Sequence, residues 1–275
     1  MTTITNPAGV KRVRIESVDL LRGVIMVLMA LDHTRDFFGK AGVNPTDPAQ
    51  TNVALFFTRW VTHFCAPVFF LLTGTGAYLS LRKRSTYELA RFLFTRGLCL
   101  ILLEVTVLRC LGFQFNFGYQ FTLLNVLWAL GWAMIVLSAL VYLPPSIVAA
   151  LGAVMIAFHN FLDTLQSTNP FWAVLHSPNF LFMTPRHSVF VIYTLIPWVG
   201  VTAVGYGLGQ IYVWEQKRRR SFLFLAGLAI TAAFIAIRAI NFYGDPVRWS
   251  TQKSLVFTAL SFLNTSKYPP SLLFL

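Results

Sequence analysis

The sequence predicts an all-α fold: a polytopic integral membrane helical bundle with about seven complete transmembrane helices and the start of an eighth. Three observations carry this reading. Of the 275 residues, 56% are hydrophobic and 12% charged, with mean hydropathy +0.64, whereas a soluble domain carries roughly 25% charged residues. The apolar residues run in stretches long enough to cross a hydrocarbon core, which takes about 20 residues of helix. Basic clusters then recur at alternate ends of those stretches. The composition excludes an ordinary cytosolic enzyme, a disordered chain and a nucleic-acid module. A net charge of +12 and a pI near 10.1 would suit DNA in a soluble protein. In a membrane protein the same side chains set topology and meet lipid headgroups, so no nucleic-acid partner is expected.

The expected spans are Val18–Phe38, Val53–Ser80, Leu89–Leu111, Gln120–Leu143, Ile147–Leu165, Ser188–Trp214 and Ser221–Asn241. Lys11, Arg12 and Arg14 precede the first, Arg82, Lys83 and Arg84 follow the second, and Lys217 to Arg220 follow the sixth. The positive-inside rule therefore places the N-terminus in the cytoplasm. Residues 1–15 read as a cytoplasmic segment and residues 16–275 as a single transmembrane domain. The first span ends in Asp32-His33-Thr34-Arg35 without a small-residue cleavage site, so it reads as a retained helix rather than a signal peptide. Ser254–Asn264 is too short to span and is expected at the interface. Pro269 and Pro270 ahead of Ser271–Leu275 suit a first helical turn, which predicts a further helix and a domain that continues beyond the chain. Cys65, Cys99 and Cys110 lie within spans and read as small packing residues. Gly205-Tyr206-Gly207-Leu208-Gly209 follows no strand, so it predicts close helix packing rather than a dinucleotide loop.

Ionisable groups inside a membrane are costly and mark function by default. Asp32, His33, Arg59, His63, Glu104, Arg109, His159, Asp163 and Arg238 all fall toward the outer half of the predicted bundle. They suggest a polar cavity opening away from the cytoplasm, although Arg109 and Asp163 lie near enough to helix ends to snorkel. In the first helix Arg22, Met26, Met29 and His33 fall within about 40° of one another, and Arg22 and His33 are about 16 Å apart along one face. Arg59 and His63 are i,i+4 neighbours and share a face.

This pattern fits acyl transfer across a membrane. Arg22 and Arg96 are placed to hold the phosphate or pantetheine of an anionic thioester carrier, and Arg82 and Arg84 to hold its outer phosphates. His33 is the expected general base or transient acyl carrier, with Asp32, Asp36 or Glu104 to orient it. Arg59 is placed to stabilise an oxyanion, and His63, Arg59 and Glu104 to support the acceptor. Direct transfer and an acyl-histidine intermediate both remain open.

The stretch Arg14-Ile15-Glu16-Ser17-Val18-Asp19-Leu20-Leu21-Arg22-Gly23, followed by Met29-Ala30-Leu31-Asp32-His33, resembles the opening of the heparan-alpha-glucosaminide N-acetyltransferase catalytic-domain family. Phe57-Thr58-Arg59-Trp60, His63-Phe64-Cys65-Ala66-Pro67, Gly74-Thr75-Gly76 and Pro197-Trp198-Val199-Gly200 are similar to its bacterial branch. So are Tyr243-Gly244-Asp245-Pro246 and Lys267-Tyr268-Pro269-Pro270-Ser271. The spacing from Arg22 to His33 also resembles the first-helix signature of the wider membrane acyltransferase group. The resemblance implies acetyl-CoA as acyl donor on the cytosolic side and a glycan or amine acceptor on the other. It implies a bacterial inner-membrane protein, for which a homodimer is an allowed assembly. One departure stands out. The animal lysosomal enzyme places its active-site histidine just before the second conserved span, whereas no histidine lies between Thr34 and Thr62 here, so His33 or His63 must take that role.

The expected function is thus an acetyl-CoA-dependent transmembrane acyltransferase. The alternative is a small-solute transporter or channel using the outer charged cavity, and the lack of an inverted repeat weighs against it. A metal held by His33, His63 and Asp32 is geometrically conceivable, but no helix carries an i,i+4 histidine pair, so no metal is expected.

Overall fold

A computed structural model describes residues 16–39, 42–112, 115, 117–165, 167 and 169–275. The basic residues of segment 1–15 and Lys40 lie outside the described residues.

Helix α1 runs Glu16–Phe38. Asn52, whose side chain accepts from Leu55 N, caps α2 (Val53–Trp60). A tight 3₁₀ turn, Val61–Phe64, joins α2 to α3 (Cys65–Ser80) without breaking the helical path. A reciprocal Ser85–Glu88 capping box opens α4 (Thr86–Leu103), and its hydrogen bonds hold the Glu88 carboxyl below its usual range. A π-helical stretch, Glu104–Leu108, and the short α5 (Arg109–Leu111) extend that helix. Then come β1 (Phe121–Leu124), α6 (Val126–Leu140) and α7 (Pro145–Phe158), the last started by Pro145 in its first turn. Next are a 3₁₀ turn (His159–Thr164), α8 (Pro170–Leu175), β2 (Asn179–Met183) and β3 (Ser188–Val191). The chain finishes with α9 (Leu195–Leu208), a 3₁₀ turn (Gly209–Val213), α10 (Gln216–Ile240) and α11 (Leu255–Leu263).

The expectation of an all-α chain needs correction. The chain is mostly helical, but β1, β3 and β2 form a small sheet in that order, with β1 parallel and β2 antiparallel to β3. Residues 120–125 and 188–194 were expected inside helices. Instead they carry short aromatic and β-branched runs that satisfy their backbone groups against each other. Among the described residues, three helical stretches are long and apolar enough to cross a membrane: Val53–Ser80, Pro145–Thr164 and Gln216–Ile240. α6 is apolar but shorter.

The bundle is organised on α9, which packs against α3, α6 and α7, while α4 packs on α6. Small residues let these backbones approach. A Cβ on Gly205 would sit 2.1 Å from the Leu71 carbonyl oxygen, and one on Gly207 2.3 Å from Ala149 Cβ. Gly97 and Gly131 oppose each other in the same way between α4 and α6. The Gly205–Gly209 stretch is therefore a packing surface, as its spacing predicted. α10 stays outside this core and exposes most of its apolar side chains.

The 3₁₀ turn that ends α9 packs against the end of α3, with Gly209 against Tyr78, so Arg82–Arg84 and Lys217–Arg220 follow neighbouring helix ends, while the sheet strand β3 precedes the opposite end of α9. Past α11 the chain does not enter a helix at Pro269. Ser271 takes the capping position instead, its hydroxyl accepting from Phe274 N at 3.1 Å, and the prolines precede the turn.

Gly205→Ala should lower the thermal midpoint of the purified protein, since overpacking of this kind costs about 1–3 kcal/mol. Gly227→Ala on α10 has nothing within 4 Å of the new Cβ and should not lower the midpoint.

Candidate functional site

Two groups of polar side chains lie at the two ends of α1. Near its start, Arg22 pairs with Asp19 at 3.7 Å and reaches across to α3, where a Cβ on Gly76 would meet its Nη2 at 3.0 Å. Arg22 lines a groove of about 350 Å³ with Thr73, Gly76, Ser80, Phe92 and Arg96, floored by Leu72, Leu93 and Met134. Arg84 and Arg96 lie over the Phe92 ring, at 4.0 and 5.1 Å from its centroid. The structure thus brings together Arg22, Arg96 and Arg84, three of the four predicted donor-binding residues. The fourth, Arg82, is exposed in the loop between α3 and α4.

Near the other end of α1, Asp32 is 9% exposed and sits at the centre of a cation-rich cluster. Arg59 Nη1 donates to both its oxygens, at 2.8 and 3.1 Å, and Thr62 Oγ1 donates at 2.7 Å. Arg35, one turn on, also donates to Asp32, and it bridges to Asp36 at 2.9 Å and the Thr58 carbonyl at 3.3 Å. Burying a carboxylate requires partners of this kind. The 3₁₀ turn at Val61–Phe64 brings Thr62 and His63 inward. His63 is buried against Phe274, ring centroids 5.3 Å apart, and feels the charges of Arg59, Lys267 and Asp32. His33 occupies the next position on α1 after Asp32, about 100° further round the helix. It lies on the same face as Arg22, and its Nδ1 is withdrawn from solvent.

The remaining ionisable groups do not join this cluster; each is satisfied locally. Glu104 was expected to support the acceptor. Its carboxylate instead accepts from Leu127 N at 3.0 Å and Trp128 N at 3.3 Å, capping the N-terminus of α6. Arg109 does not snorkel: at 2% exposure it donates to Thr122 Oγ1 at 2.8 Å and stacks on Tyr119. His176 Nε2 meets Asp163 at 2.7 Å, and Asn160 donates to the other Asp163 oxygen at 2.7 Å. Arg238 donates to the carbonyls of Ser261, Phe262 and Asn264, closing the C-terminus of α11, and to that of Val247. The single outer cavity expected from sequence resolves, among the described residues, into the Asp32 cluster and four other local groups of polar contacts. Among the described residues no group of three or more His, Cys, Asp or Glu is placed to hold a metal ion.

Sequence reasoning gave no site role to Lys267, Tyr268, Tyr193 or Phe274, all of which border the Asp32 cluster. Lys267 acts electrostatically on Asp32 and His63. Tyr268 OH donates to Tyr193 OH at 3.4 Å, and the Tyr193 ring packs on Trp198. The signal was present in the Lys267–Ser271 motif, but a span of over 200 residues hid its meeting with α1.

Comparison with known proteins places these features in one family. The family described as heparan-alpha-glucosaminide N-acetyltransferase, catalytic, matches residues 14–244, which include both groups on α1 and the whole of α9. No curated protein and no solved structure matches the chain.

Asp32→Asn leaves Arg35 and Arg59 without their shared carboxylate and should destabilise the protein by about 3–5 kcal/mol. The double variant Asp32→Asn/Arg59→Gln should be more stable than Asp32→Asn alone; denaturant or thermal unfolding checks both. Glu104→Gln should lower stability through the lost cap, yet leave the turnover of the folded fraction unchanged.

Proposed function

The chain belongs to the heparan-alpha-glucosaminide N-acetyltransferase catalytic family, and from that premise we propose that it moves an acetyl group from CoA on one side of a membrane to a sugar or amine acceptor on the other. The family is one of acetyltransferases, and with the apolar helices it supports an integral membrane enzyme. The finer reading is ours. The end of the bundle carrying Arg82–Arg84 and Lys217–Arg220 faces the cytoplasm by the positive-inside rule. In this reading the chain crosses the membrane seven times, by α1, α2–α3, α4–α5, α6, α7, α9 and α10.

One observation carries the reading: α1 holds a guanidinium groove near one end and an acid–histidine cluster near the other. Arg22 and Arg96 suit the phosphates and pantetheine amides of acetyl-CoA, with Arg84 at the groove's mouth. The apolar floor suits the thioester arm. Arg22 and His33 share a face about 16 Å apart, a distance an extended pantetheine arm can bridge. At the outer end the acceptor's nitrogen or oxygen forms the new bond to the acetyl carbonyl carbon. The carbon–sulfur bond breaks, His33 takes the acceptor's proton, and that proton goes to the departing CoA sulfur. Arg59, Arg35 and Thr62 hold the Asp32 side chain, next in sequence to His33, in place. His63, in the wall formed by the 3₁₀ turn, borders the acceptor.

Radiolabelled acetyl transfer from acetyl-CoA to a panel of amino sugars and amines, by protein in nanodiscs, tests this. Arg22→Gln and Arg96→Gln should raise KM for acetyl-CoA with little change in kcat. His33→Ala should lower kcat by about 10²–10⁴-fold. Wild-type activity in His33→Ala would remove the role assigned to it.

A further inference from the structure

The chain after α11 folds back over the Asp32 cluster and is pinned there by several independent bonds. Asp245 accepts from Ser266 N and Ser266 Oγ, both at 2.8 Å, and from Ser271 Oγ at 2.9 Å. Asn160 Oδ1 accepts from Leu272 N at 2.8 Å, and His159 Nε2 lies 2.8 Å from the Pro270 carbonyl oxygen. These anchors flank Lys267 and Tyr268 and fix both residues beside the cluster. Their position is therefore a product of tertiary structure.

The charges there do not balance. Asp32 and Asp36 are matched by Arg35 and Arg59. Lys267 is a third cation, half-buried over the Tyr268 ring at 5.2 Å, and no carboxylate pairs with it among the described residues. The oxygens of Asp32 are already taken by Arg35, Arg59 and Thr62. His63 is 8% exposed, and its Nδ1 has no hydrogen-bond partner among the described residues. A surplus cation in a partly desolvated place is costly unless an anion meets it.

We propose that Lys267 is a specificity-determining residue: it binds a carboxylate, phosphate or sulfate carried by the acceptor, next to the amine or hydroxyl that receives the acetyl group. This rests on the outer cluster being the acceptor site. A phospholipid headgroup offers the same chemistry, so the test separates the two sources.

The full chain is placed in phosphatidylcholine nanodiscs, and binding of glucosamine 6-phosphate and of glucosamine is measured by calorimetry. The wild type should bind the phosphorylated sugar at least about tenfold more tightly. Lys267→Gln should abolish the difference, and Lys267→Arg should retain it. Thermal midpoints of the two variants confirm that both are folded. Equal affinity for the two sugars, or binding of neither, overturns the proposal. So does a Lys267→Gln effect that appears only as a midpoint shift in phosphatidylglycerol nanodiscs, which would assign the anion to lipid. KM values for acetylation separate this claim from the one beneath it. Acetylation of both sugars with equal KM sinks the anion preference and leaves the acetyltransferase intact. A binding preference without any acetylation does the reverse.

Discussion

The carboxylate of Asp32 sets the terms for the end of the bundle where α1 meets α2. A charge withdrawn from water needs close partners, and α1 supplies one of them, Arg35, a turn away. The others must come from elsewhere. Arg59 comes from the end of α2, and Thr62 from the 3₁₀ turn that joins α2 to α3. One carboxylate thus ties α1, the end of α2 and that turn together, and His33 and His63 each follow one of the tied residues in sequence.

The scaffold behind the cluster is built on another basis. In an apolar solvent the hydrophobic effect does not drive helix against helix, so close backbone approach and dispersion take over. α9 offers Gly200, Gly205 and Gly207 to α7 and α3, and α4 offers Gly97 to α6. Trp198, fully buried on α9, stacks on Phe70 and meets Tyr193 and Phe274. The rigid interior therefore ends at the aromatic residues that border the proposed acceptor site. Arg238 and Asp245 do for the loops what the glycines do for the helices. They gather the carbonyls and hydroxyls of residues 245–271 into one network and hold the C-terminal segment in place.

Much of this was legible in the sequence. The helical stretches follow from apolar runs, and for α1, α2–α3, α4–α5 and α7 with its 3₁₀ turn the ends fall within a few residues of the expected ones, whereas α6 and α9 start six and seven residues later than expected. The sheet did not announce itself, because Phe121–Leu124 and Ser188–Val191 are short apolar runs joined to helices, and periodicity cannot separate the two states over four residues. Arg22, Arg96, Asp32, Arg59 and His63 stand out in the sequence because an ionisable group at membrane depth is conspicuous. Glu104 was misread for the same reason: a carboxylate capping a neighbouring helix has the same signature as one facing a substrate. Lys267 and Tyr193 lie outside the helices, where charge and aromaticity are ordinary, and only the fold brings them to the cluster.

The central claim is that α1 connects a donor groove on one side of the membrane to an acceptor cluster on the other. Proteoliposomes of uniform orientation test it most directly. Labelled acetyl-CoA is supplied only on the face bearing Lys217–Arg220 and an amino sugar only on the opposite face. The account predicts labelled product on the sugar's side, and none when the two compartments are exchanged. Product formed only when both substrates share one compartment would contradict it.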